Sequence, residues 1–110
     1  MEVKRGRVLI AVHGDFGRPR PVVVVQADEL NDMTTTLLAC PLTSEVTENL
    51  PVRPILEPSA ENGLRVRSQI MTDKMLALPR QHLRTVIGSI DSETIGRLNT
   101  ALLLVLGLAR

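Results

Sequence analysis

The apolar positions of this chain fall into short runs divided by polar, glycine or proline breaks. Arg7–Val12 is mostly apolar and reads as a first strand. "HGDFGRPR" at 13–20 is a loop, broken by Gly14, Gly17 and Pro19. Pro21–Ala27 reads as a second strand. Its four successive valines are stiff at χ1 and suit a pleated surface. A run without alternation implies burial on both faces. "ADELND" at 27–32 reads as a turn or a single helical turn, and Thr35–Pro41 as a third strand running from polar to buried. "TSEVTEN" is a loop. Val52–Glu57 reads as a fourth strand, which Pro51 and Pro54 confine to a sheet edge. "PSAENG" closes a turn on Gly63. Arg65–Leu78 holds one or two strands, with Arg65 and Arg67 on one face by the period of two. "PRQHL" reads as a short helical turn and Val86–Ile90 as the last strand.

Asp91 then supplies a good N-cap, with Glu93 favourably placed in the first turn. The helix is expected to run to about Leu108. Ile95, Leu98, Leu102, Val105 and Leu106 make one face at three- and four-residue spacing, and Leu103, Leu104 and Leu108 widen it. So broad a stripe is buried on more than one side, against the sheet and against a second subunit. The polar face lacks a basic cluster, which argues against a membrane surface. Short strands followed by one helix predict a mainly β fold, a small, strongly bent sheet or partly open barrel.

Composition sharpens this picture. At 110 residues the chain is expected to form a single domain spanning 1–110. Phe16 is the only aromatic residue, so an aliphatic core must do the work, and a core shared between two copies would help. Cys40 stands alone in an apolar run, which excludes an internal disulfide or a cysteine-based zinc site and reads as a buried, inert thiol. His13 and His82 lack ligand spacing, so neither metal nor cofactor is expected. The apolar run Ala101–Ala109 has nine residues. A membrane helix needs about twenty. Residues 1–7 are charged and the apolar run after them is short, so no secretory signal is expected and the cytoplasm is favoured. The net charge is only +1, yet it is unevenly spread. Residues 28–61 carry seven acids against Arg53 alone, whereas 1–20 and 65–84 are basic. One cationic face is expected, and phosphate is its obvious ligand.

"VKRGRVLIAV" at 3–12, "RPVVVVQADELN" at 20–31, "LACPLTS" at 38–44 and "QIMTDKMLALPRQHL" with "VIGSID" between 69 and 91 resemble the MazF/PemK family. These are toxins of type II toxin–antitoxin systems. The resemblance implies an SH3-like barrel of about five to seven strands with a C-terminal helix, usually a homodimer. It implies a metal-independent endoribonuclease that cuts single-stranded RNA, such as mRNA, leaving a 2′,3′-cyclic phosphate and a 5′-hydroxyl. It also implies a cognate antitoxin whose C-terminal tail blocks the RNA groove.

The residues fit that chemistry. RNA carries its own nucleophile, the 2′-hydroxyl, so a protein must deprotonate it, stabilise a dianionic phosphorane and protonate the leaving oxygen. Arginine suits the middle task, because its planar fork matches two phosphate oxygens and never loses its charge. Arg20 stands at the mouth of the valine strand, biased to an extended conformation by Pro21. It matches the family's catalytic arginine, and Thr43 matches the catalytic threonine. Ser44, Arg18, Arg65, Arg67 and Gln69 are candidates for RNA contact. Many family members carry an acid just before the glutamine, proposed as general base; here that position is Ser68, a poor base at neutral pH. His13 and Asp15 are the alternatives, the imidazole because it titrates near neutrality. Phe16 is either a base-stacking platform or a plug under the first loop. That loop is short and lacks the family's usual "SEQ"-like segment. Two other functions remain open: a CcdB-like gyrase poison, whose helix-end aromatic is missing from "LLVLGLAR", and a catalytically weakened toxin fold kept as a binding module.

Overall fold

The valine run explains much of the architecture. In a computed structural model, which describes residues 2–109, Arg20–Val24 forms strand β2 between β1 (Arg7–Ala11) and β3 (Thr36–Thr43). Val23 and Val25 enter one hydrophobic cluster, with Val8, Cys40, Leu42, Ile70 and Leu98. Val22 and Val24 enter another, with Leu9, Leu37, Ala39 and Leu78. The central strands are thus covered on both faces, as the unbroken valines predicted. Cys40 lies fully inside, and burial pushes its thiol up to about 12, which keeps it protonated and inert.

The remaining strands are β4 (Ile55–Leu56), β5 (Ser68–Ile70), β6 (Leu76–Pro79) and β7 (Leu83–Ser89). All pairings are antiparallel, in the order β4-β5-β3-β2-β1-β7. β6 pairs with the first half of β3, opposite Thr36–Ala39, while β5 pairs with its end, opposite Leu42 and Thr43. Two register irregularities between β1 and β7 bend the sheet. The result is a curled half-barrel closed by helix α1 (Ser92–Val105).

Several boundaries differ from the sequence reading. The strand expected at Val52–Glu57 shrinks to two residues, because Pro51 and Pro54 have no N–H to pair and Arg53 closes a turn on the Leu50 carbonyl. β3 runs on to Thr43: Pro41 lacks an N–H, but its carbonyl accepts from Met71. Arg65 and Arg67 do not share a strand face, since β5 begins only at Ser68. The helix stops at Val105 rather than near Leu108. Gly107 takes a left-handed φ of 73°, and Leu108 N–H turns back to the Leu103 carbonyl. Thr94, Leu98 and Ala101 form the buried face, whereas Leu106 and Leu108 are 55% and 69% exposed. At the other end Asp91 accepts from Thr94 N–H at 2.8 Å, the expected cap, and that bond holds its carboxyl below the usual range. The turn before β5 closes on Gly63 as predicted. A Cβ there would lie 2.0 Å from the Ile87 carbonyl, and its φ of +71° also demands glycine.

The long loop between β3 and β4 carries little regular structure, yet it is tied down. Gln69 is fully buried and spends its whole amide on this loop. It donates to the carbonyls of Thr47 and Arg53, both at 2.8 Å, and accepts from Thr47 N–H at 2.9 Å. Thr72 donates its hydroxyl to the Val52 carbonyl. Arg53 grips Asp73 through two bonds of 2.8 and 2.9 Å. This pairing raises the arginine and holds Asp73 below the ordinary aspartate value.

Two outcomes follow. Gln69→Leu strands three backbone groups at once and should lower stability by about 2–4 kcal/mol in urea unfolding. Asp73 is bound more tightly as the anion in the folded state, so its contribution is present above the aspartate range, about pH 4. It is lost as pH falls through that range. Asp73→Asn should therefore destabilise the protein at neutral pH and flatten the acid limb of the stability profile.

Candidate active site

The register between β2 and β3 decides where two of the sequence's candidates fall. Val22 lies opposite Pro41, Val23 opposite Cys40 and Val24 opposite Ala39. The paired stretch ends at Val22 and Pro41, and Arg20 and Thr43 lie just beyond it at the same end of the two strands. Both line a groove of about 690 Å³. Arg20 is half-buried, and its Nε makes a long 3.5 Å hydrogen bond to the Phe16 carbonyl. Among the described residues no protein group accepts from its two terminal nitrogens. Thr43 Oγ1 accepts from Glu45 N–H at 3.1 Å, so its own proton is left to donate.

Asp15 and Phe16 reach the groove from the first loop. Phe16 lines the groove and also packs on the core cluster beneath β1 and β2. The other polar lining comes from residues that the sequence did not mark as candidates: Glu45, Thr47, Arg53 and Lys74. Three cations and two carboxylates therefore surround the groove. They are not equivalent. Arg53 is committed to Asp73, whereas Lys74 has no ion-pair partner among the described residues. Lys74 sits in "TDK", the polar interruption between two apolar strands, which was its signal in the sequence. Arg53 was masked by the acidic segment around it.

The other candidates lie elsewhere on this one chain. His13 and Arg18 line a separate hollow beside His82. Ser44 is exposed just past β3. Arg65 is exposed, and Arg67 bridges Glu48 and Glu57 at 3.1 and 3.0 Å. Ser68 is buried and donates to the Val66 carbonyl at 2.9 Å. Gln69 is the loop clamp described above. A larger, more open hollow of about 810 Å³ lies between the β3–β4 loop and α1. Its cations are already engaged, Arg97 by the Ile55 carbonyl at 2.6 Å and Arg53 by Asp73, so the smaller groove is the better anion site. Among the described residues no three His, Cys, Asp or Glu side chains converge as metal ligands. None of the described helices is long and apolar enough to cross a membrane.

Known proteins share this fold. Residues 4–106 match the model of the PemK-like, MazF-like toxin of type II toxin–antitoxin systems. A probable endoribonuclease MazF of Mycolicibacterium smegmatis is 34% identical over 109 residues, covering 97% of this chain and 99% of the relative. A mycobacterial endoribonuclease solved with its cognate antitoxin superposes with a TM-score of 0.82 at 25% identity, over 97% of both chains. The Mycobacterium tuberculosis toxin MazF-mt6 gives a TM-score of 0.82 at 22% identity, over 94% of this chain and 99% of its own, and supports the fold. With its match spanning almost the whole sequence, this chain belongs to the PemK-like, MazF-like toxin family.

Proposed function

We propose that this chain is a toxin endoribonuclease that cleaves single-stranded RNA by attack of the 2′-hydroxyl on the adjacent phosphate, halting translation and growth. The observation that carries the reading is that Arg20, whose terminal nitrogens meet no acceptor among the described residues, lines one groove with Thr43 and Lys74. The terminal nitrogens of Arg20 hold two phosphate oxygens and stabilise the charge that builds on the phosphorane. The Thr43 hydroxyl, with its oxygen already satisfied by Glu45 N–H, donates to the same phosphate. Lys74 adds attraction along the backbone. Asp15 or Glu45, the carboxylates that line the groove, takes the 2′-hydroxyl proton, and the departing 5′-oxygen receives that proton back from the same carboxyl or one from water as its bond to phosphorus breaks. These roles need no metal. A gyrase-poison function draws no support from the two relatives named as endoribonucleases.

The functional unit is a cytoplasmic homodimer held off its substrate by a cognate antitoxin whose C-terminal tail occupies the groove. Exposed Leu103, Leu104, Leu106 and Leu108 support the dimer, and the complex of the mycobacterial relative with its antitoxin supports the second partner.

Purified protein should cleave a defined single-stranded RNA in EDTA. Arg20→Ala should lower kcat by roughly 10²–10³-fold with an unchanged circular dichroism spectrum. Thr43→Ala should cost less, and Thr43→Ser should retain most of the rate. A wild-type protein inert towards RNA but tightly bound by an antitoxin would replace this reading with that of a binding module.

A further inference from the structure

The first loop holds a histidine that the groove does not use. His13 faces away into the hollow it shares with Arg18 and His82. Its ring nevertheless governs the shape of the loop. Nδ1 accepts from the Asp15 N–H at 3.2 Å and so caps the single 3-10 turn Gly14–Phe16. The turn is fixed at both ends. Val12 N–H donates to the His82 carbonyl at 2.9 Å, Phe16 N–H donates to the His13 carbonyl at 3.0 Å, and Gly17 ends the turn with a φ of 72°. The His13 ring also packs against Phe16, with centroids 5.5 Å apart, and lies edge-on to His82 at 6.2 Å.

The product of this scaffold is the Phe16 carbonyl, the group that holds Arg20 Nε. At 3.5 Å the contact is weak, so the turn steers the guanidinium by the direction of this carbonyl and does not lock it. Phe16's ring, set by the same turn, stands on the groove wall. We infer that His13 is a positioning residue for Arg20: its imidazole caps the turn that aims the Phe16 carbonyl at the guanidinium. The inference rests on the reading of Arg20 given above. It also gives His13 a different job from proton transfer, because the ring lines another hollow than the one that holds Arg20 and Thr43.

Substitutions separate the two jobs. Asparagine places Oδ1 where histidine places Nδ1, and it is a strong capping residue. It cannot carry a proton. Glutamine places its amide one bond further out, near Nε2, and cannot cap. Single-turnover rates and KM on a defined RNA should be measured for the wild type, His13→Ala, His13→Asn, His13→Gln and Arg20→Ala, with a thermal midpoint for each. His13→Ala and His13→Gln should lose roughly 10- to 100-fold in rate, the scale of a small misplacement of a catalytic group, with little change in KM. His13→Asn should recover most of that loss. A wild-type rate in His13→Ala overturns the inference. So does His13→Asn as slow as His13→Gln, which would mark the ring as a proton carrier. Should His13→Ala fail to fold, the asparagine–glutamine comparison still decides. If Arg20→Ala cleaves at the wild-type rate, the Arg20 reading fails and the inference falls with it. If Arg20→Ala is inactive while asparagine gives no recovery, the inference alone fails.

Discussion

Everything at the candidate site depends on how β2 is paired with β3. The pairing is hard to shift. Val22 to Val25 are buried on both faces, so sliding the strand would open cavities in two clusters at once. Its far end is pinned by Gln26, a buried side chain whose amide donates to Thr34 Oγ1 at 3.1 Å and accepts from Leu38 N–H at 3.3 Å. With one end clamped and the middle packed, the open end has little freedom. A charged residue there inherits the rigidity of the core, which is the physical reason for placing a guanidinium at the mouth of a valine strand. Thr43 is held from the other side, paired with the buried Gln69 of β5.

The basic residues in and around the groove differ in whether their charge is already spent. Arg53 and Arg67 are paired with carboxylates, and Arg97 is used on a carbonyl. These contacts shape the β3–β4 loop and its neighbours. Arg20 and Lys74 keep donors for a ligand. Counting basic residues along the chain would rate these five alike, and only their partners separate them. Gln69 belongs to the same logic, because a buried amide satisfying three backbone groups keeps Thr47 and Arg53 on the groove wall.

Short-range signals in the sequence carried the strands, the turn at Gly63, the Asp91 cap and the terminal helix. The valine run announced its own double burial and marked Arg20 at its mouth, whereas Thr43 was singled out by the resemblance of "LACPLTS" to the family. What stayed hidden depends on distant pairing. Arg53 finds Asp73 across 20 residues, and Gln69 finds Thr47 across 22. No local pattern marks either partner. Ser68 and Gln69 drew attention because the family resemblance puts an acid and a glutamine there, yet both are buried and hydrogen-bonded to backbone. The proline-shortened β4 and the glycine-stopped helix show local chemistry overriding hydrophobic pattern.

The central claim is that Arg20 and Thr43 act on a single phosphate. A double-mutant cycle on single-turnover cleavage of one RNA tests it directly. Two groups serving one charge should be coupled, with Arg20→Ala/Thr43→Ala costing at least about 1 kcal/mol less than the sum of the two single changes. Strict additivity would mean that the two side chains work apart, and would contradict the account.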